Sequence, residues 1–324
     1  MTRLRVVTLL VLLGGCKRVV PELAPAEAAS SSAAPSSPSP SSALAPARLE
    51  PAEKPPPGTL RFAVIGDYGA DTPDEGRVAA LVKSWTVDFV VTTGDNNYPS
   101  GEESTIDQNI GKYYSDFIGN YRGRFGPGSG QVNRFWPSPG NHDWVNGIGP
   151  YVAYFTLPGN ERYYDVDVGL VHLYAVDSDP HEPDGITPSS VQGKWLKARL
   201  KTSKSCYDVV FFHHPPYSSA RHGSSEGMRW PFREWGAEAV FAGHDHSYER
   251  LTVDGIPYLV QGLGGASKYP FPTAPLPETQ FRYNDGYGAT LVNASPSGIT
   301  YDFFTADGIK RDTLTVPASA ACTK

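Results

Sequence analysis

Short apolar runs that end in polar loops recur along the chain from residue 60 onwards. Residues 60–65 and residues 88–93 are apolar runs that each end in a Gly-Asp pair, and this pattern predicts two buried strands. Between them, residues 73–85 start with proline and two acidic residues and carry apolar positions on one face. A helix is therefore predicted at 73–85, and a second helical stretch near 104–118.

The second half of the chain is richer in strand patterns. The alternation of strands and helices in the first half is typical of the α/β (α+β) fold class. A further helix is predicted at residues 189–201. Further apolar runs or predicted strands lie at residues 134–139, 162–167, 170–176, 207–212, 237–242, 257–261, 288–293, 299–304 and 313–316.

Length and composition limit the classes of protein to which the chain belongs. Its 324 residues, 40% of them hydrophobic, fit one large α/β unit of about 250 residues with a tail. The net charge is −6, and loss of a leader with Arg3 and Arg5 would change it to −8. With no basic patch, nucleic acid is not an expected partner.

The N-terminus has the pattern of an export signal. Residues 1–15 contain a basic start and an apolar run that is too short to span a bilayer, and Gly14 and Gly15 precede Cys16. This segment resembles the cleavage site of bacterial lipoproteins, which implies a lipid on Cys16 and a membrane-anchored protein facing the periplasm or the cell exterior. The alternative is an ordinary cleaved signal peptide in which Cys16 has no role.

Composition also predicts the boundaries of the folded region. Residues 16–58 are rich in Ser, Pro and Ala, which is typical of a disordered linker. The folded domain is predicted at 59–317, followed by a short tail at 318–324. Cys206 and Cys322 could form a disulfide in an oxidising compartment, and two free thiols are the alternative.

Polar side chains with metal-binding atoms follow the predicted strands. In open α/β sheets, ligands gather at the carboxyl ends of strands, so these loops are expected to meet at one site. A buried cluster of carboxylates and imidazoles requires a compensating cation, and oxygen and nitrogen donors without thiolates suit Fe, Mn or Zn. The donors are too many for one open catalytic ion, so two ions are expected; the candidates are Asp67, Asp95, Asn141, His213, His244 and His246.

Five short motifs around these positions resemble the signature of the calcineurin-like metallophosphoesterases. They are Asp67-Tyr68-Gly69, Gly94-Asp95-Asn96-Asn97-Tyr98, Gly140-Asn141-His142-Asp143, Val210-Phe211-Phe212-His213 and Gly243-His244-Asp245-His246. The resemblance covers roughly residues 60–305. It implies a four-layer α/β/β/α sandwich, in which two mixed sheets are flanked by helices.

Tyr98 narrows the resemblance to the purple acid phosphatases, and the short chain is similar to their tartrate-resistant, single-domain type. The resemblance implies a ferric ion held by Asp67, Asp95, Tyr98 and His246. It also implies a divalent ion, Fe, Zn or Mn, and a hydroxide that attacks the phosphorus of a small phosphate ester. The implied ligands of the divalent ion are Asp95, Asn141, His213 and His244.

Two further histidines are candidates to protonate the leaving group. His142 ranks first, because its neighbours are ligands and Asp143 could orient it; His222 lies in a stretch that is similar to the tartrate-resistant type. Because successive strand residues point to opposite faces, His214 is expected to face away from the metals. His172, in an apolar strand, is expected to be a core histidine.

Three functions remain open at this stage. The first is hydrolysis of phosphate monoesters, and the second is cleavage of phosphodiesters or nucleotides with the same metals. The third is a non-catalytic surface lipoprotein that keeps the fold for binding.

Overall fold

The computed structural model describes residues 56–318 and Cys322. The predicted signal peptide at 1–15, the anchor Cys16 and the predicted linker up to residue 55 lie outside the described residues. Within the described part of the chain, no helix combines the length and the apolar character needed to cross a membrane.

Two mixed β-sheets form the centre of the described region. The first sheet has the strand order β13-β12-β11-β1-β2-β3, and the second has the order β10-β8-β9-β7-β6-β5-β4. The strands of the first sheet are β1 (Leu60–Ile65), β2 (Phe89–Thr92), β3 (Phe135–Pro137), β11 (Gly288–Ser295), β12 (Gly298–Thr305) and β13 (Lys310–Pro317). Those of the second are β4 (Tyr164–Val168), β5 (Val171–Ala175), β6 (Tyr207–Phe211), β7 (Ala239–Ala242), β8 (Tyr248–Val253), β9 (Ile256–Gln261) and β10 (Thr279–Tyr283).

The directions of the strands determine where the polar residues that follow them lie. In the first sheet β1, β2 and β3 are parallel neighbours. In the second sheet β5, β6, β7 and β9 are parallel neighbours, with antiparallel strands on both sides of them. The carboxyl ends of each parallel group therefore lie at one edge of its sheet.

Alternation along the strands explains why the two sheets pack together. In β6, Tyr207, Val209 and Phe211 belong to the core that lies between the sheets, whereas Val210 belongs to a second core. The second core also contains residues of α6 (Val191–Thr202) and α7 (Phe232–Trp235). A strand buried on both faces reads as a continuous apolar run, which is the pattern found in the sequence.

The first helix follows its sequence signals closely. Helix α1 spans Pro73–Ser84, and the Thr72 hydroxyl accepts a hydrogen bond from the Glu75 N–H at its start. Val78, Leu81 and Val82 are buried against the core.

The predicted fold class, two mixed sheets with flanking helices, is confirmed.

The second predicted helical stretch is broken into short pieces. Helix α2 (Glu103–Ile106) leads into a π-helical turn at Asp107–Gly111, which leads into α3 (Lys112–Tyr114) and a 3₁₀ turn at Ser115–Phe117. Two further short helices follow, α4 (Asn141–Trp144) and α5 (Gly149–Tyr154). Strands β8 and β10 were not predicted, because both carry charged residues.

A disulfide joins Cys206 to Cys322 across a sequence separation of 116 residues. It ties the C-terminal residues to the start of β6. Of the two alternatives left open by the sequence, the bridge is therefore the one that the structure supports.

Candidate metal centre

The polar residues at the strand ends meet between the two sheets. Asp67, Asp95 and Asn141 follow the parallel strands β1, β2 and β3 of the first sheet, while His213, His244 and His246 follow β6 and β7 of the second. The two sheets therefore each contribute one side of the cluster. Its donor atoms fall into two groups.

The first group surrounds the Tyr98 hydroxyl. This hydroxyl donates to Asp95 Oδ2 at 2.9 Å, and it lies 3.3 Å from Asp67 Oδ1 and 3.1 Å from His246 Nε2. His246 Nε2 in turn lies 3.3 Å from Asp67 Oδ1. The structure thus brings together the four residues predicted to bind the ferric ion.

The second group surrounds His213 Nε2. This nitrogen lies 3.0 Å from Asn141 Oδ1, 3.2 Å from His244 Nδ1 and 3.3 Å from Asp95 Oδ1. The four residues predicted to bind the divalent ion are therefore also together. Asp95 belongs to both groups, with Oδ2 in the first and Oδ1 in the second.

The residues of both groups fit metal ions. Atoms bound at about 2.1 Å to one ion in tetrahedral or octahedral geometry lie roughly 3.0–3.4 Å from one another, which is the spacing seen in both groups. His213 Nδ1 lies 2.9 Å from the Thr93 carbonyl oxygen, an acceptor, so Nδ1 carries a proton and Nε2 is the nitrogen that would be free to bind a metal. The donor set contains oxygen and nitrogen only, which suits Fe, Mn or Zn.

The pKa shifts of Tyr98 and His213 show how the negative charge of the cluster is compensated when no cation is bound. Burial raises the pKa of the Tyr98 phenol well above its ordinary value, and the Asp95 and Asp67 carboxylates raise it further. Burial lowers the pKa of His213, but the charge of Asp95 outweighs it and raises the pKa to about 10. Without a metal, a proton on His213 compensates Asp95; a bound cation would displace that proton and stabilise a Tyr98 phenolate.

Three of the donor residues have a strained backbone conformation. Asp67, Asp95 and His244 have φ angles of +54°, +51° and +69°. Residues other than glycine rarely adopt this left-handed region, and such strain concentrates at functional sites. Here each residue turns the chain sharply at or near the end of a strand, which aims its side chain between the sheets.

Several supporting residues were not found from the sequence. Ser267 Oγ lies 2.6 Å from His246 Nδ1 and fixes the ring from the side opposite the donors. Asn96, which is buried, donates to the Ser138 carbonyl and to Asp143. Asn96 lies inside a quoted motif, so its position was visible; Ser267 follows β9 in a loop without a recognisable pattern.

The prediction that Asp143 orients the His142 ring is wrong. The Asp143 carboxylate accepts hydrogen bonds from Asn96 and from the Gly140 N–H, which places it beneath the loop at the start of α4. The His142 ring is held instead by the Pro99 carbonyl oxygen, 2.5 Å from Nδ1. Burial raises the pKa of Asp143 to about 6, and the nearby Asp95 adds to the rise.

His142 lies at the edge of the cluster. Its side chain is about one-third exposed, and Nε2 lies 3.9 Å from Asp95 Oδ2. Its backbone N–H donates to Asp95 Oδ1 at 2.8 Å, and its ring centroid is 4.3 Å from that of Tyr98. The ring is thus next to both donor groups while remaining open to solvent.

His214 does not face away from the cluster as expected. Strand β6 ends at Phe211, so the alternation of a strand no longer applies at His213 and His214. The His214 ring packs 4.6 Å from the His244 ring, and it can offer a nitrogen within 4.8 Å of nitrogens of His213 and His244. Its Nδ1 is hydrogen-bonded to the Ser178 hydroxyl, whereas His213 Nε2 lies among the donors.

The structure places the two remaining predicted histidines as follows. His222 is exposed, and its ring lies 4.3 Å from that of His244, so it faces the second donor group. His172 is buried, and its Nε2 bonds to Asp165 Oδ2 at 2.6 Å. It is the core histidine that the sequence predicted.

Comparison with known proteins assigns the family. The family model described as calcineurin-like phosphoesterase matches residues 60–248, which is more than half of the chain. The chain belongs to the calcineurin-like phosphoesterase family. The identification from the five motifs is therefore confirmed, as is the assignment to hydrolases acting on phosphoester bonds.

Relatives within this family are acid phosphatases. The chain is 25% identical over 300 residues to the tartrate-resistant acid phosphatase type 5 of Mus musculus, covering 78% of this chain and 89% of the relative. It is 26% identical over 288 residues to purple acid phosphatase 17 of Arabidopsis thaliana, covering 76% and 82%. This calcineurin-like phosphoesterase is therefore similar to acid phosphatases of the tartrate-resistant and purple types at about one quarter sequence identity.

Solved structures share the fold at lower identity. A purple acid phosphatase from yellow lupin (Lupinus luteus) seeds has a TM-score of 0.66 at 18% identity, covering 82% of this chain and 55% of that one. The Plasmodium protein GAP50, described as the anchor in the inner membrane complex, also has a TM-score of 0.66 at 18% identity. That match covers 81% of this chain and 89% of GAP50.

The close approach of Gly94 to His213 yields a test of the second donor group. Gly94 has φ +94°, and a Cβ added there would lie 2.7 Å from His213 Nδ1. Gly94→Ala should therefore displace the His213 ring and lower the metal content per chain by at least about half, measured by elemental mass spectrometry.

Gly147→Ala is the matched control. Gly147 also has a positive φ, +81°, but no atom lies within 4 Å of the position of its added Cβ. It should keep the full metal content despite similar backbone strain. If Gly94→Ala binds as much metal as Gly147→Ala, the role given to His213 is wrong.

Proposed function

We propose that this phosphoesterase hydrolyses phosphate monoesters with a binuclear metal centre. In this proposal a ferric ion is held by Asp67, Asp95, Tyr98 and His246. A divalent ion, Fe, Zn or Mn, is held by the second group, Asp95, Asn141, His213 and His244. The observation that carries the proposal is the convergence of the Tyr98 hydroxyl on Asp95, Asp67 and His246 within 3.3 Å.

Two bound cations would lower the pKa of a water molecule and neutralise the oxygens of the phosphate. The chain itself holds the site in place through Asp95, whose two oxygens belong to the two donor groups. The backbone N–H of His142 donates to Asp95 Oδ1 and fixes this carboxylate. Substrate can therefore meet donors that need little reorganisation.

His142 is the proposed donor of a proton to the leaving alkoxide. Its Nδ1 faces the Pro99 carbonyl oxygen and therefore carries a proton, and its Nε2 lies 3.9 Å from Asp95 Oδ2, beside the donor groups. A proton on Nε2 can pass to the ester oxygen as the P–O bond breaks. His222, with its ring against His244, is a second candidate for this role or for contact with the phosphate.

The proposal predicts phosphate release by the metal-loaded protein. Between pH 4 and pH 9 it should hydrolyse both alkyl and nitrophenyl phosphates. His142→Ala should slow the alkyl ester by about 10²-fold or more and the nitrophenyl ester less, because only a poor leaving group needs protonation. Equal losses for both esters would argue against this role of His142.

A separate test concerns iron. If Tyr98 binds a ferric ion as a phenolate, the protein should be purple through charge transfer, and Tyr98→Phe should lose the visible absorption band. Tyr68→Phe is the control, because the buried Tyr68 hydroxyl bonds to Asn96 and not to the donors. A colourless zinc or manganese enzyme with full activity would overturn the iron assignment alone.

Two other functions use the same residues differently. Cleavage of diesters or nucleotides needs no change in the donor set, and a bis(nitrophenyl) phosphate assay separates it from monoester hydrolysis. A non-catalytic binding role would be favoured by a protein that holds two metals per chain and releases phosphate from no ester. The complete donor set and the position of His142 support catalysis.

We propose that the protein is exported and anchored to a membrane by a lipid on Cys16. The Cys206–Cys322 disulfide supports export, because such bonds persist in oxidising compartments. Cys16→Ser should shift the protein from the detergent phase to the aqueous phase on phase partitioning. Detergent-phase partitioning that persists in this variant would overturn the lipid anchor.

A further inference from the structure

The loop that follows His213 and His214 contains Arg221, whose positive charge lies at the rim of the site. Its backbone N–H groups at His222 and Gly223 donate to Asp245 at 2.7 Å and 3.2 Å, and the Ser218 hydroxyl donates to the same carboxylate at 2.5 Å. Asp245 is fully buried and lies between His244 and His246 in the sequence. The loop is therefore fastened to the segment that supplies these two donors.

Tyr269 forms a rigid surface between this loop and the first donor group. Its ring is stacked on the His246 ring, with centroids 4.2 Å apart and planes at 9°. Its backbone N–H donates to the His246 carbonyl, and its own carbonyl accepts from Asn284 Nδ2. Both the backbone and the ring of Tyr269 are thus fixed relative to His246.

Arg221 lies over the Tyr269 ring. Its guanidinium carbon is 4.8 Å from the centroid of the same ring on which His246 is stacked. The side chain is exposed, and no ion pair found among the described residues includes it. Its charge is consequently held against the ring that also contacts His246, and it is available to an anion from solvent.

Metal ions held by the two donor groups would bind the phosphate of the ester. The positive charge of Arg221 is not needed for that phosphate. A guanidinium binds carboxylate or phosphate through two parallel hydrogen bonds, and its fixed planar geometry makes this recognition specific. We propose that Arg221 selects phosphate monoesters that carry a second anionic group, a carboxylate or a phosphate, close to the ester phosphate. This inference rests on the proposed phosphatase function.

The kinetic test uses two esters with the same carbon skeleton. Glycerate 2-phosphate carries a carboxylate where glycerol 2-phosphate carries a hydroxymethyl group. Arg221→Gln should lower kcat/KM for the glycerate ester by about tenfold and for the glycerol ester by less than about twofold. Arg221→Lys should keep part of the preference, because it retains the charge but loses the planar fork.

Arg311→Gln is the matched control, since Arg311 also lies over a tyrosine, Tyr283, and is exposed. It should leave both rates unchanged. Equal losses for the two esters in Arg221→Gln, or a wild-type protein with no preference for the glycerate ester, would overturn the proposal.

A binding measurement separates this inference from the proposed function. Phosphonoacetate carries a carboxylate that methylphosphonate lacks, and neither is hydrolysed. Calorimetry with the metal-loaded protein should show about tenfold weaker binding of phosphonoacetate to Arg221→Gln, with methylphosphonate unchanged. This result would support the role of Arg221 even if no ester were cleaved, and unchanged phosphonoacetate binding would overturn it.

Discussion

The Asp95 carboxylate lies between two sets of donors, and the rest of the site depends on this arrangement. Its two oxygens belong to different groups, and both groups consist mainly of atoms that accept rather than donate protons. Buried acceptors that converge in this way repel one another unless a cation lies among them. A proton can compensate one of them, as the raised pKa of His213 shows, but not all of them. The cluster is therefore suited to hold metal.

The fold holds these acceptor atoms close together through a fixed backbone and through hydrogen bonds to the histidine rings. Backbone strain at Asp67, Asp95 and His244 is tolerated because each residue is buried or partly buried in a dense core between two sheets. Hydrogen bonds to Thr93 and Ser267 fix the outer nitrogens of His213 and His246, so the inner nitrogens face the cluster. Preorganisation of this kind lets a phosphoester hydrolase stabilise developing charge without moving its ligands.

The residues between the two sheets and the residues at the rim of the site have different roles. The buried or partly buried donors between the sheets are fixed by their neighbours, and their chemistry limits which metals they could hold. The exposed residues at the rim, His142, His222 and Arg221, are in a position to meet the ester and its leaving group. Asp245 links the two layers, because it lies between the donors His244 and His246 and its buried carboxylate holds the rim loop.

The sequence alone determined most of the strands and the places of the six polar residues after them, because buried strands are continuous apolar runs and the change to polar residues is abrupt. It missed strands β8 and β10, in which charged residues interrupt the apolar pattern. Only the tertiary structure decided the partner of Asp143, the orientation of His214 and the position of Arg221 over Tyr269. These depend on contacts between loops far apart in the chain, and local patterns of hydrophobicity carry no information about such contacts.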